Sequence, residues 1–313
     1  MKKTILLLLC AVLILASPLW AEPLNPRQVP ADAKWLVHVD FNKFAQSEIW
    51  ALINQEISEK DQKKIDAIAT LFGSDPTRDL FGVTLFGPDA NEKNAVAIIN
   101  GRFNQKKLLA LLALNEAYAE TEYNGQILYH WVDEKDNKAK VGFFATESLI
   151  VISQSESPVQ AMVDLLAGPA DPQPAPLAAS LAKAPKDAIV VMAANGLNQF
   201  RRSEKQNVFL QNSKTIMLFA GEKQGEMFLT ASLTTDSPEA ALQIEQAVNG
   251  MKAFIALENA ENPEIVSLLQ AITIKRNENQ LSLTAKYPSA KLFDIFKEKI
   301  MPKNKELLAE QSK

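Results

Sequence analysis

The sequence predicts an α+β protein of two related units, each an antiparallel sheet covered by helices. Short runs rich in Val and Ile, separated by polar turns, are typical of strands joined as hairpins. Longer stretches between the hairpins carry an apolar residue every three or four positions, which is the pattern of helices with one buried side. Strands joined by hairpins pair antiparallel, so we expect helices packed against antiparallel sheets.

A repeated strand start indicates two units. Pro30-Ala-Asp-Ala precedes an apolar run from Trp35, and Pro185-Lys-Asp-Ala, 155 positions later, precedes a second run. Asp40 closes the first run and Asn195 closes the second. We therefore expect an internal duplication in which the two halves superpose strand for strand.

The first 21 residues have the layout of a secretory signal peptide. Lys2 and Lys3 precede an unbroken apolar run of twelve residues, Ile5 to Ala16, and the small residue Ala21 precedes Glu22. This order predicts cleavage after Ala21. The alternative is an uncleaved anchor, which is disfavoured because a membrane span needs about 20 apolar residues. The expected location is periplasmic or secreted, with no stable membrane insertion after cleavage.

The composition excludes several kinds of chemistry. Cys10 is the only cysteine, and it lies inside the signal segment with Leu9 before it, which does not fit a lipid-modified cysteine. The mature chain would therefore have no disulfide, thiol nucleophile or cysteine metal site. The net charge is −4, and it becomes −6 without Lys2 and Lys3. An acidic chain disfavours nucleic acid. An unknown protein or an apolar ligand in the cell envelope is the expected partner.

The first unit spans residues 22–168. Its predicted strands lie at 35–41, 80–87, 94–103, 125–132, 140–145 and 148–154, and its predicted helices at 44–59, 64–72, 104–118 and 157–166. Alternation places Trp35 and Val37 on one face of the first strand, and His38 and Asp40 on the other. Asp75 is positioned to cap a short helix that begins at Pro76.

A proline-rich linker at 169–184 separates the units, because four prolines in eight residues favour an extended spacer. The second unit spans 185–301, and a polar tail occupies 302–313. Its predicted strands lie at 188–194, 215–220, 226–234, 272–276 and 280–286, and its predicted helices at 238–255, 263–271 and 289–300. We expect this unit to lack the first crossover helix and to have one strand fewer between its last helices.

Candidate catalytic residues are few. The sequence has no nucleophile elbow and no glycine-rich phosphate loop. His38 and Asp40 share a strand face, so an imidazole–carboxylate pair for a hydrolase is one alternative. The matching positions of the second unit are Ala193 and Asn195, and no serine is marked as a nucleophile. The expectation is that His38 is a half-buried structural residue. We predict that the protein is not an enzyme and holds no cofactor. We also predict no metal, because a zinc site would require His38 and His130 to converge.

Aromatic residues at strand spacing leave one more interpretation of the function open. Their positions are Trp35, Phe41, Phe81, Phe86, Tyr129, Trp131 and Phe219. Such residues usually fill the sheet core, but they also suit the lining of a ligand groove. A carrier of an apolar ligand, held between sheet and helices, is therefore a second alternative.

The arrangement resembles a class of uncharacterised secreted bacterial proteins with a duplicated α+β domain of unknown function. The features that carry the resemblance are the signal segment, the Pro-x-Asp-Ala start at Pro30, the strand ends at Gly87 and Gly101, and the repeat of that start in the second half at Pro185. The resemblance covers most of the mature chain and implies no site residues. The sequence thus predicts an exported, non-enzymatic binding or structural protein.

Overall fold

The computed structural model describes residues 25–168, 177, 183–197 and 212–299. Four expectations fall wholly or mainly outside those residues: the signal segment 1–21, the linker 169–184, the crossover at 198–211 and the tail 302–313. They stay predictions.

The described strands form one antiparallel sheet of twelve strands. The strands are β1 (Trp35–Asp40), β2 (Leu80–Gly87), β3 (Val96–Gly101), β4 (Ala119–Tyr123), β5 (Gln126–Asp133), β6 (Lys138–Thr146), β7 (Leu149–Ser153), β8 (Ala188–Asn195), β9 (Ser213–Lys223), β10 (Glu226–Thr235), β11 (Thr273–Asn277) and β12 (Gln280–Pro288). Their order is β11-β12-β10-β9-β8-β1-β2-β3-β7-β6-β5-β4. The predicted α+β class with antiparallel pairing is confirmed.

Helices follow or connect these strands. They are α1 (Phe41–Ala45), α2 (Glu48–Gln55), α3 (Glu59–Phe72), α4 (Pro76–Asp79), α5 (Gln105–Leu112), α6 (Glu156–Ala167), α7 (Pro238–Glu258), α8 (Pro263–Ala271) and α9 (Ser289–Lys299). The helix expected over 44–59 is divided in two, because the Ser47 side chain caps a new helix by accepting a hydrogen bond from the Trp50 backbone N–H. Asp75 caps α4 as expected.

The two halves of the chain meet at the centre of the sheet, where β1 pairs with β8. Five strands of each half follow a corresponding order, β1-β2-β3-β7-β6 and β8-β9-β10-β12-β11. Val37 lies opposite Met192, and these residues are separated by the same 155 positions as Pro30 and Pro185. Strand order does not show that the halves superpose, so the duplication stays a prediction.

β4 corrects the expectation for the first half. The sequence analysis assigned 104–118 to one helix and began the next strand after it, but α5 ends at Leu112 and β4 occupies Ala119–Tyr123. β4 lies at the edge of the sheet, and four of its five residues are exposed. An edge strand that is open to solvent needs no alternation of apolar residues, so the sequence did not indicate a strand here. The described part of the second half therefore has two strands fewer, not one.

One face of the sheet carries the main core. Alternate residues of β1 are buried, so Leu36, His38 and Asp40 point into this core. The helix α6 packs on the same cluster through Val159, Met162 and Val163. Burying a large apolar side chain such as Leu36 contributes about 1.5–3 kcal/mol to stability.

The opposite face is covered at its two ends. Toward the β11 end, Ala241 and Ile244 of α7 pack on Leu281 of β12 in a second cluster. Toward the β4 end, α5 lies over β5, β6 and β7. This second contact leaves a space between helix and sheet.

Glu222 joins the two halves through polar contacts. Its Oε1 accepts the Glu48 backbone N–H at 2.6 Å, and its Oε2 accepts the Ile49 N–H at 2.9 Å. The same Oε2 also accepts the hydroxyl of the buried Ser289 at 2.9 Å. A carboxylate at a helix N-terminus satisfies free backbone donors and interacts favourably with the helix dipole. The β9–β10 hairpin thus holds the start of α2 and the start of α9.

Candidate functional site

His38 and Asp40, the residues of the hydrolase alternative, lie in the core. They are 2% and 1% exposed, so His38 is more buried than expected. Its Nδ1 lies 2.9 Å from Oγ1 of Thr84 on β2, and its buried Nε2 has no hydrogen-bond partner among the residues described. Asp40 is instead the N-cap of α1: it accepts the Lys43 N–H at 2.9 Å and lies 3.2 Å from Lys43 Nζ.

Burial lowers the pKa of His38 from 6.5 to about 4; the negative charge of Asp40 opposes this effect and Lys43 reinforces it. The imidazole is therefore neutral at pH 7. A general base must come within about 3 Å of the substrate proton, and a side chain that is 2% exposed does not present its nitrogen to a bound substrate. The hydrolase alternative stays a hypothesis without a contact that supports it.

The structure does not bring the two histidines of the chain, His38 and His130, together. His130 lies on β5, where its Nε2 is 2.8 Å from Thr121 Oγ1 on β4. Four strands separate β1 from β5, which corresponds to about 24 Å at the usual strand spacing. Within the described ranges, no group of three His, Cys, Asp or Glu residues is arranged to hold a metal ion.

A cavity of about 420 Å³ lies between α5 and the sheet. Its floor is formed by alternate residues of three neighbouring strands: Tyr129 and Trp131 on β5, Gly142 and Phe144 on β6, and Ile150 and Ile152 on β7. Its roof is formed by α5 and the turn after it, with the end of α3 beside them: Leu108, Leu109, Leu111, Leu112, Leu114, Asn115 and Phe72. Ligand cavities are typically 300–1,000 Å³ and mostly apolar, so this one has the size and lining of a small-molecule site.

Local sequence explains the roof. The Asn104 side chain caps α5 by accepting the Lys107 N–H at 3.1 Å. Leucines at i, i+3 and i+4 then line the side of the helix that faces the sheet. The helix is fixed to α3 by Lys107, whose Nζ donates to Thr70 O at 3.1 Å.

The floor contains a glycine at a close contact between two strands, and a pair of aromatic rings. A Cβ at Gly142 would lie 2.6 Å from Val151 O and 3.2 Å from a side-chain carbon of Ile152, so a larger residue does not fit there. Tyr129 packs edge-on against Phe144, with ring centroids 6.0 Å apart. Burial raises the pKa of Tyr129, and the negative charge of Glu120 on β4 adds to the effect.

Polar groups around the cavity are few, and those of Asn115 and Tyr118 are already paired. Asn115 uses both ends of its amide on the backbone of Val132. Tyr118 donates to Glu120, which raises the pKa of Tyr118 to about 12. Glu134, at the end of β5, is the one charged residue in the lining of this cavity.

The sequence analysis found part of this site. It predicted a helix over 104–118 and named Tyr129 and Trp131 as candidate groove residues. It missed Glu134, Gly142 and Ile150, because their role depends on how three strands and a helix come together. No signal within the sequence marks those three positions.

The chain matches no protein-family model and no curated protein. Among solved structures it is weakly similar to three crystal forms of the protein TP0453. Form I is 15% identical over 89% of this chain and 99% of that chain, with a TM-score of 0.46. Form III is 13% identical over 88% and 98%, with a TM-score of 0.48. Form IV is 11% identical over 90% and 99%, with a TM-score of 0.47.

None of the described helices is both long enough and apolar enough to cross a membrane. The longest of them, α7, has 21 residues. It carries charged residues such as Glu245 and Lys252 along its length.

Proposed function

We propose that this protein is a non-enzymatic binding protein that holds an apolar ligand in the cavity under α5. The observation that carries the proposal is the cavity itself: it has a volume of about 420 Å³ and is lined mostly by leucine, isoleucine and aromatic side chains. An apolar molecule gains about 25 cal/mol for each Å² that it removes from water, which favours binding in such a site.

The proposal is tested with a neutral fluorescent reporter, N-phenyl-1-naphthylamine, whose emission rises in apolar surroundings. Ile150→Trp places a larger ring on the cavity floor and should weaken reporter binding about tenfold or more. Leu242→Trp is the matched control, because Leu242 is an exposed residue of α7 outside the cavity lining. Equal reporter affinity in the two variants would contradict the proposal.

We further propose that the ligand is met outside the cytoplasm. The signal-like segment before Glu22 supports export, and a chain without cysteine after cleavage is compatible with an oxidising compartment. N-terminal sequencing of protein from the periplasm or medium should begin at Glu22. Recovery of the intact Met1 in a membrane fraction would contradict this part.

A further inference from the structure

The polar groups at the cavity define the head group of its ligand. We propose that the cavity takes an amphiphile with a donor head group, an alkyl amine or alcohol, and that Glu134 disfavours anionic amphiphiles such as fatty acids. This inference rests on the proposed function, because it names the ligand class of the same cavity.

Only some of the polar groups in the lining are free to meet a ligand. The amide of Asn115 is not free, because Nδ2 donates to Val132 O at 2.8 Å and Oδ1 accepts from Val132 N at 3.2 Å. The side chains of Trp131 and Glu134 also line the cavity. Neither has a hydrogen-bond or ion-pair partner in the part of the chain that the structure describes. A ligand therefore meets one indole N–H and one carboxylate, together with the phenol of Tyr129, which also lines the cavity and has a hydrogen bond with Gln105.

The negative charge in the cavity lining is not balanced there. Glu134 has no cationic counterpart in the lining of this cavity. The neighbouring lysines are outside the lining and two are paired: Lys140 lies 3.3 Å from Asp136, and Lys138 lies 2.7 Å from Glu92. Lys135, the next residue in the chain, is exposed.

A second acidic group lies beside the middle of β5. Glu120 of β4 is paired directly with Tyr129 in the sheet, and its negative charge contributes to the raised pKa of that phenol. Lys140 lies opposite Trp131 in the sheet but is paired with Asp136, so the unbalanced charge in the cavity lining, that of Glu134, is acidic. Like charges repel, so a carboxylate head group would be disfavoured here, whereas an ammonium or a hydroxyl can donate to Glu134.

The ligand class is tested with three amphiphiles of equal chain length: dodecylamine, dodecanol and dodecanoate. Each displaces N-phenyl-1-naphthylamine from the full chain, at concentrations kept below micelle formation. We expect the amine to bind about fivefold more tightly than the carboxylate, the scale of an exposed charge pair, with the alcohol between them. Equal or tighter binding of dodecanoate would overturn the inference.

The role of Glu134 is tested by Glu134→Gln, which keeps the shape and removes the charge. The preference for amine over carboxylate should fall to about twofold or less, while dodecanol affinity stays the same. Glu122→Gln is the control, an exposed acid on β4 that does not line the cavity. An unchanged preference in Glu134→Gln, or an equal change in Glu122→Gln, would overturn the assignment to Glu134.

Failure of the proposed function would give a different experimental result from failure of the ligand class alone. If the reporter does not bind, or binds equally to the Ile150→Trp and Leu242→Trp variants, then the cavity is not the binding site and both proposals fall. If the reporter binds in the cavity and the amphiphiles show no order by head group, only the ligand class is wrong.

Discussion

The Asn115 side chain makes two hydrogen bonds with the backbone of Val132. Its Nδ2 donates to Val132 O at 2.8 Å, and its Oδ1 accepts from Val132 N at 3.2 Å. β4 pairs with β5 only as far as His130, so at Val132 this side chain supplies the contacts that another strand residue would make. The turn after α5 is thereby fixed to the floor of the cavity.

The first prediction follows from this pair. Asn115→Ala should lower the free energy of unfolding by about 1–3 kcal/mol, because two backbone groups lose their partner. It should also weaken reporter binding, because the end of α5 is no longer held over the sheet. Chemical denaturation and reporter titration measure the two effects. Asn54→Ala, at an exposed site on α2, is the control. A variant as stable as that control would show that the pair contributes nothing.

The second prediction concerns Glu222, which accepts two backbone N–H groups at the start of α2 and the hydroxyl of Ser289. Glu222→Ala should lower the free energy of unfolding by about 2 kcal/mol, since the buried Ser289 loses an acceptor. Glu226→Ala, an exposed change at the start of β10, should have little effect. Denaturation midpoints that match between the two variants would contradict the joining role of Glu222.

The third prediction is a pH dependence that arises from His38. Burial lowers its pKa from 6.5 to about 4 in the folded protein. The unfolded chain therefore binds a proton more readily than the folded one, and stability falls as the pH drops from about 6.5 to about 4. The loss should be about 3 kcal/mol and should level off below pH 4.

Carboxylates titrate in the same pH range, so the contribution of His38 to the pH dependence is obtained by comparing the wild type with a His38 variant. His38→Gln should show a smaller loss of unfolding free energy between pH 6.5 and pH 4 than the wild type. The measured quantity is the slope of the unfolding free energy against pH, which can be compared whatever the stability of the variant at pH 7. Parallel curves for the two proteins would mean that His38 is not buried as a neutral imidazole.

Regular patterns made much of the fold predictable from sequence. The alternation in β1 correctly placed His38 and Asp40 on one face, and Asp75 with Pro76 marked the start of α4. Hairpin turns located β9 and β10, because turn residues act locally. β4 could not be predicted in this way, since an exposed edge strand with Glu120 and Glu122 carries no apolar signal.

The site was less predictable than the fold. Tyr129 and Trp131 were expected in a core or a groove, and their spacing could not separate those outcomes. What separates them is the space between α5 and the sheet, where Gly142 lies close to Val151 and Ile152 of the next strand and Asn115 contacts Val132. Both are long-range relationships, and neither leaves a periodic pattern in the sequence.

The central claim is that an apolar ligand occupies the space beside Trp131, and quenching of tryptophan fluorescence tests it most directly. 2-Bromododecan-1-ol carries, next to its hydroxyl head group, a bromine that quenches tryptophan on close contact. We predict saturable quenching in the wild type, loss of the saturable part in Trp131→Phe, and its retention in Trp50→Phe, because Trp50 lies on α2 outside the cavity lining. Saturable quenching that survives in Trp131→Phe would place the ligand elsewhere and contradict the account.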